Sequence, residues 1–316
     1  VRFDPFIVAI LAALVLGLVL PVNTEALDVL STASDVAIWL LFLVYGLRLA
    51  TTEVINGLRN WRVQGLIFAS TYIAFPLIGL LAHWALEPVL GAPFAQGLLY
   101  LSLLPSTVQS SVTFTSIARG DVAGAVCAAT LSNVIGMFLT PLYVLLFMNV
   151  AGASAGSFGK VLYLLLLPFI IGQLLQPKFG AWIRSKRAWT KLLDQGTVVL
   201  VVLSAVAEAT HSGVWGSVTV WQILALTLVS TVILAIALAG TWYAAKGAGC
   251  TREGAIAVLM CGSKKSLATG LPMAKALFPA AAVGPIAVPV IIFHQIQLVV
   301  CAIIAQRLGR EVVDQA

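Results

Sequence analysis

Two adjacent lysines, Lys264 and Lys265, interrupt an otherwise apolar stretch, LMCGSKKSLATGLPMA at positions 259–274. A charge at the centre of a hydrocarbon layer costs about 2.5–3.5 kcal/mol on insertion scales, so such residues mark ion pathways, relays or solute sites. Fixed ammonium groups attract anions, and a lysine that gives up its proton can couple movement of a solute to movement of protons. Ser263 and Ser266 flank the pair, and Gly262, Gly270 and Pro272 weaken the helix around it. Counted from Arg252, the lysines lie roughly 18–20 Å along a helix, beyond the middle of a core about 30 Å thick. Snorkelling to an interface is the competing reading, and that depth argues against it. Neighbouring helical positions point about 100° apart, so the two ammonium groups are expected to meet different surroundings.

A second polar cluster lies in LYLSLLPSTVQSSVTFTSIA, positions 99–118, where Thr107, Gln109, Ser110 and Ser111 follow Pro105. Small hydroxyls also pack membrane helices together, but a dense run directly after a proline favours an unwound segment lining a cavity or buried in protein. Thr130, Ser132 and Asn133 add polar groups to the next apolar run, and His294 and Gln295 to the last one. His294 and Gln295 read either as a hydrogen-bonded core pair or as a solute contact, with His294 also able to accept a proton. Gln297, two positions on, is read as facing elsewhere.

The elements that must position these residues are membrane helices. The 316 residues are 60% hydrophobic and only 9% charged, and the mean hydropathy is +1.04. Soluble domains carry roughly 25% charge, so this is a polytopic membrane protein. At about 20 apolar residues per span, ten candidates emerge: 5–22, 34–51, 63–86, 94–118, 121–148, 157–176, 190–210, 218–244, 251–277 and 284–307. The first is read as a membrane helix and not as a signal peptide. Lys and Arg stay on the cytoplasmic side. They gather in the even-numbered connections (Arg48, Arg59, Arg62; Arg119; Lys178 to Lys191; Lys246, Arg252), while 23–33, 87–93, 149–156, 209–217 and 278–283 have none. With Arg2, Arg307 and Arg310 at the ends, both termini are predicted to be cytoplasmic, in an inner or plasma membrane. The net charge of +6 is therefore a topology signal, and a nucleic-acid partner is excluded. The four cysteines show neither disulfide nor zinc spacing.

Ten spans divide into two five-span repeats, 5–148 and 157–307, and an odd-numbered repeat inserted twice must invert. Spans 4 and 9 are each interrupted by Gly or Pro inside a polar segment, at matching positions. Such a pair points to a midplane binding site.

Pro105 with Ser110-Ser111-Val112, then Ile117-Ala118-Arg119-Gly120-Asp121-Val122, Leu139-Thr140-Pro141 and Phe293-His294-Gln295 together resemble the bile acid:sodium symporter family over essentially the whole chain. The resemblance implies an all-α fold with broken, crossing helices 4 and 9. It also implies a core of spans 3–5 and 8–10 (63–148 and 218–307) and a panel of spans 1, 2, 6 and 7 (5–51 and 157–210), with solute bound between them and exposed alternately to each side. In sodium-coupled members a span 9 carboxylate and a Gln-Asn pair help to hold the cations. Here Met260 or Cys261 takes the place of the acid, and Lys264 and Lys265 fall at or beside the amide pair. Ser111 stands beside Ser110 where the family has Asn. The pattern is similar to a divergent branch that includes the seventh vertebrate member, linked to calcium regulation and not known to carry bile acids.

From this follow the functional expectations. One ammonium substitutes for sodium, held by oxygens of Ser110, Ser111 and Asn133 in a vestigial sodium site, and the other faces the crevice. Sodium, disfavoured beside fixed ammonium groups, is lost or altered as coupling ion, and proton coupling or facilitated exchange takes its place. The expected activity is transport of a small organic anion by alternating access, with no cofactor and no metal beyond the vestigial site. The alternative is a non-transporting membrane regulator of ion homeostasis that keeps the fold. An intramembrane enzyme is not expected, for want of a nucleophile–base pair or a metal cluster, and the chain has no HExxH motif.

Overall fold

The computed structural model describes residues 5–19, 23–49, 60–148, 159 and 162–313. Arg2, Arg59 and the 149–156 connection, used above to orient the chain, lie outside the described residues, as do the ends of the expected spans 5–22, 34–51 and 157–176.

Every regular element among the described residues is helical, as a lipid-embedded backbone requires when it must satisfy its own hydrogen bonds. In chain order the helices are α1 (Pro5–Val19), α2 (Thr24–Arg48), α3 (Trp61–Leu90), α4 (Ala92–Leu103), α5 (Gln109–Ile117) and α6 (Val122–Phe147). They continue with α7 (Leu162–Ser185), α8 (Arg187–His211), α9 (Val220–Gly247), α10 (Arg252–Gly262), α11 (Leu267–Leu277) and α12 (Ala280–Val313). Seven of them, α2, α3, α6, α7, α8, α9 and α12, are long and apolar enough to cross a membrane. The remaining five are shorter, and four of these form two interrupted pairs, α4 with α5 and α10 with α11.

The interruptions have local causes. Leu104 precedes Pro105, whose ring drives its neighbour out of helical geometry. Leu104 accordingly adopts φ −73°, ψ 154° and ends α4. At the second break α10 stops at Gly262, and residues 263–266 are non-helical before α11 begins. Helix α10 starts at a Thr251 cap, whose hydroxyl accepts from the Gly254 N–H at 3.2 Å. Asp121 caps α6, accepting from the Gly124 N–H at 2.8 Å. A π-helical turn, Ser70–Ala74, interrupts the ladder of α3, and such turns shift carbonyls out of their usual pairing.

The chain divides into two compact units. The first comprises Val1–Ala50, Val144–Val220 and Ala268–Val288. Within it α2 packs on α7 and α8, and α1 on α8. Gly46 and Gly172 let α2 and α7 meet backbone to backbone, because a side chain at either would collide with the facing main chain. The second unit comprises Thr51–Tyr143, Trp221–Leu267 and Pro289–Ala316. Its core includes Val63, Ile67, Ala125, Ala128, Ala255, Val258 and Cys261. Gly136 leaves room there for Tyr72 and Pro105. Both breaks and both lysines of the opening motif belong to this second unit.

Candidate functional site

The two breaks touch. The Ser266 N–H donates to the Pro105 carbonyl at 2.8 Å, and the Ser106 hydroxyl donates to the Cys261 carbonyl at 2.6 Å. A neighbouring helix satisfies the first break with side chains. From α6, the Ser132 hydroxyl accepts from the Ser106 N–H at 3.0 Å. The Asn133 amide donates to the Ser106 carbonyl at 2.7 Å, and the Thr140 hydroxyl to the Leu103 carbonyl at 2.8 Å. The Tyr72 hydroxyl donates in turn to the Ser132 carbonyl. Thr130 is half-buried on the same helix.

The two lysines are both completely buried, yet they have opposite surroundings. Lys265 donates three hydrogen bonds, to the carbonyls of Leu104 and Ser102 at 2.7 Å and of Thr71 at 2.9 Å. Leu104 and Ser102 lie at the C-terminal end of the half-helix α4, where partial negative charge accumulates. Thr71 lies in the π-helical turn of α3. An ammonium has three N–H donors, and each has an acceptor here. The Phe75 ring adds a cation–π contact at 4.3 Å. The oxygens around this ammonium are thus backbone carbonyls, which corrects the expectation that Ser110, Ser111 and Asn133 hold it. Carbonyls freed by a helix end and a π-turn carry no residue-type signature, so only the Pro105 break hinted at them.

Lys264 is one residue away, and its ammonium has no hydrogen-bond partner. Its close contact is the Phe114 ring of α5, 4.0 Å from Nζ to the centroid. Ser111, at the start of α5, is buried, Ser110 and Thr107 lie 3.4 Å apart hydroxyl to hydroxyl, and Gln109 is exposed. Ser263 turns its hydroxyl back onto the Leu259 carbonyl at 2.5 Å.

The second correction concerns α12. Gln297, read from sequence as facing elsewhere, clamps the second break. Its Oε1 accepts from the Lys265 N–H at 3.0 Å, and its Nε2 donates to the Lys265 carbonyl at 2.9 Å. Nε2 also lies 2.9 Å from His294 Nδ1. His294 therefore pairs with Gln297, three residues on and on the same helical face, and not with Gln295. The Gln295 amide has no hydrogen-bond partner at its nitrogen or its oxygen. Helical spacing alone was the signal that would have found the true pair.

Sequence comparison gives this geometry relatives. The profile of the SBF-like CPA transporter family matches residues 4–310. An uncharacterized protein of Pseudomonas aeruginosa is 43% identical over 316 residues, covering 99% of this chain and 95% of its own. An Escherichia coli protein named "Putative symporter YfeH" is 40% identical over 311 residues, 98% of this chain and 93% of its own. Sodium/bile acid cotransporter 7 of Xenopus tropicalis is 23% identical over 282 residues, 86% and 81% of the two chains.

Proposed function

The chain belongs to the SBF-like CPA transporter family, a family of membrane transporters, and on that premise we propose that it moves a small organic anion by alternating access without sodium as the coupling ion. The observation that carries this reading is the triple bond of Lys265 to the Thr71, Ser102 and Leu104 carbonyls. Three converging carbonyls, two at a helix end and one in a π-turn, suit a small cation, and here a covalently attached ammonium already fills the position. A tethered cation cannot dissociate with the solute, so it cannot transmit the energy of a sodium gradient. The sodium in the name of the Xenopus relative is in this reading replaced by Lys265. Transport is then facilitative, an exchange, or coupled to protons.

The solute is anionic because Lys264 is a buried ammonium with no hydrogen-bond acceptor. An anion brought to it gains a partner that the protein does not supply. The N-terminus of α5 lies in the same unit, and Phe114, against the ammonium, belongs to that helix. Helix N-termini favour negative charge.

In the membrane, ten spans are completed by α1 and the two interrupted pairs, arranged as two inverted repeats with the breaks crossing at mid-depth. Segments 63–148 and 218–307 form the core and 5–51 and 157–210 the panel. Both termini face the cytoplasm of an inner or plasma membrane in this reading, which the Lys and Arg distribution supports.

The test is a screen of small carboxylates, sulfonates and phosphates by thermal shift on the purified protein, with sodium or choline as the cation, followed by uptake of the best stabiliser into proteoliposomes. A ligand that binds only the folded state raises the melting temperature. Stabilisation and uptake independent of sodium, and lost in Lys264→Met, are expected. Uptake driven strongly by a sodium gradient and indifferent to Lys264→Met and Lys265→Met would sink the reading.

A further inference from the structure

A third buried lysine, Lys275, lies in the last turn of α11. Its ammonium sits 2.8 Å from Asp35 Oδ1 and donates to the Ser31 carbonyl at 2.5 Å, both on α2. Ser31 and Asp35 are four residues apart and share one face of that helix. In the first turn of α11, Thr269 shares a hydrogen bond with the Tyr45 hydroxyl of α2, which also bonds Asp194 of α8. Asp194 faces Arg48 at 3.7 Å. Both ends of the half-helix are thus fastened to α2 by polar groups, within the unit that holds Ala268–Val288. The preceding half-helix, α10, belongs to the other unit and packs on α3 and α5. The chain passes from one unit to the other at the start of α11, directly after the break that carries Lys264 and Lys265.

A buried ion pair is a poor device for simple cohesion, because the desolvation of both charges offsets much of their attraction and apolar side chains hold helices as well. It suits a contact that must part and re-form, provided water can reach the charges when it parts. Asp35 meets that condition with a side chain 30% exposed, while that of Lys275 is 9% exposed. Lys275 also stands where the negative end of the α11 dipole favours a cation. Both partners border the connections 23–33 and 278–283, which carry no Lys or Arg.

From these contacts we propose that Lys275 and Asp35 form a releasable gate latch that holds α11 against α2 in one facing state of the carrier and opens in the other. The inference rests on the alternating-access reading above. In it, Lys275 is a positioning residue that sets where the half-helix beginning at the break can lie, and it needs no contact with the solute.

Cysteine labelling of the full-length protein in proteoliposomes tests the latch without a substrate. The background carries Cys250→Ser. The reporter is Ala276→Cys, at a position 2% exposed beside the latch, and the probe is a membrane-impermeant maleimide. Asp35→Asn and Lys275→Met are each expected to raise the labelling rate about tenfold by shifting the population of open states. The exchanged pair Asp35→Lys with Lys275→Asp should bring it back toward the starting rate. Cys127, Cys261 and Cys301, all buried, should stay unlabelled throughout. An unchanged rate overturns the proposal. So does a rise shared by the buried cysteines, since that marks general loosening of the fold. Failure of the anion screen leaves this result readable, and a failed latch leaves the anion screen untouched.

Discussion

The two helix breaks face the same physical problem and solve it differently. At residues 104–108, freed backbone groups are met by neutral side chains of α6: Ser132 and Asn133 on Ser106, and Thr140 on Leu103. At residues 263–266 the Gln297 amide clamps the Lys265 backbone, the Ser266 N–H bonds the Pro105 carbonyl, and the break exports two charges. One of those charges returns to the first break, where Lys265 closes the carbonyls of Ser102 and Leu104 that no α6 side chain reaches. The first break is therefore a polar scaffold, and the second supplies its missing cation. Lys265 is structural and electrostatic at once, whereas Lys264 has no structural bond to lose. If that contrast holds, substitutions at the second break should separate into large and small effects according to hydrogen bonding alone, since burial is the same for both lysines.

The largest effect is expected from Lys265→Met. A bond to a charged donor contributes about 1.5–3 kcal/mol, and three carbonyls would lose theirs, while relief of the buried charge offsets part of the loss. A net destabilisation of about 3 kcal/mol is expected, measured by denaturant unfolding in detergent. A variant as stable as the parent would mean that the carbonyls find other partners, and the contrast between the breaks would collapse.

How much of this was legible beforehand depends on what each feature leaves in the residue types. The broken helices were readable at 99–118 and 256–277 because proline, glycine and hydroxyl residues within apolar runs have local conformational consequences that need no partner. The carbonyls of Thr71, Ser102 and Leu104 were not, because every residue has a carbonyl and only its geometry makes it a ligand. The π-turn in α3 that presents Thr71 falls in the ordinary apolar sequence STYIA. Gln297 was passed over by pairing His294 with its immediate neighbour, when helical geometry brings together residues three and four apart. The Lys275–Asp35 pair escaped for a different reason. Its partners are 240 residues apart, and nothing at either position marks the other.

Gln297→Leu sharpens the same comparison at the next level. It removes both hydrogen bonds to the Lys265 backbone and leaves the buried Lys265 N–H without its acceptor, which costs about 2 kcal/mol. Lys265 should then be held less firmly on its carbonyls. Hydrogen exchange at 263–267 should quicken while exchange at 104–108 stays the same. Equal acceleration at both breaks would show that the two are one cooperative unit. Asn133→Leu is the counterpart at the first break. It removes the interhelical bond to Ser106 and a local bond to the Ala129 carbonyl. Such bonds inside a membrane protein average well under those to charged groups, so a loss of about 1 kcal/mol is expected. Hydrogen exchange should now rise first at 104–108.

Lys264→Met should have the smallest effect on the fold and the largest on anion binding. The ammonium makes no hydrogen bond, and its contact with Phe114 contributes about 1–2 kcal/mol when desolvated. That gain is opposed by the desolvation of the charge itself. Methionine fills a similar volume and needs no partner, so denaturant stability should stay within about 1 kcal/mol of the parent or rise. Any thermal stabilisation by an organic anion should disappear. Arginine at the same position keeps the charge and should retain part of that stabilisation. A large fall in stability with Lys264→Met would place this lysine in the same class as Lys265, leaving the paired breaks with two structural cations and no free site for an anion.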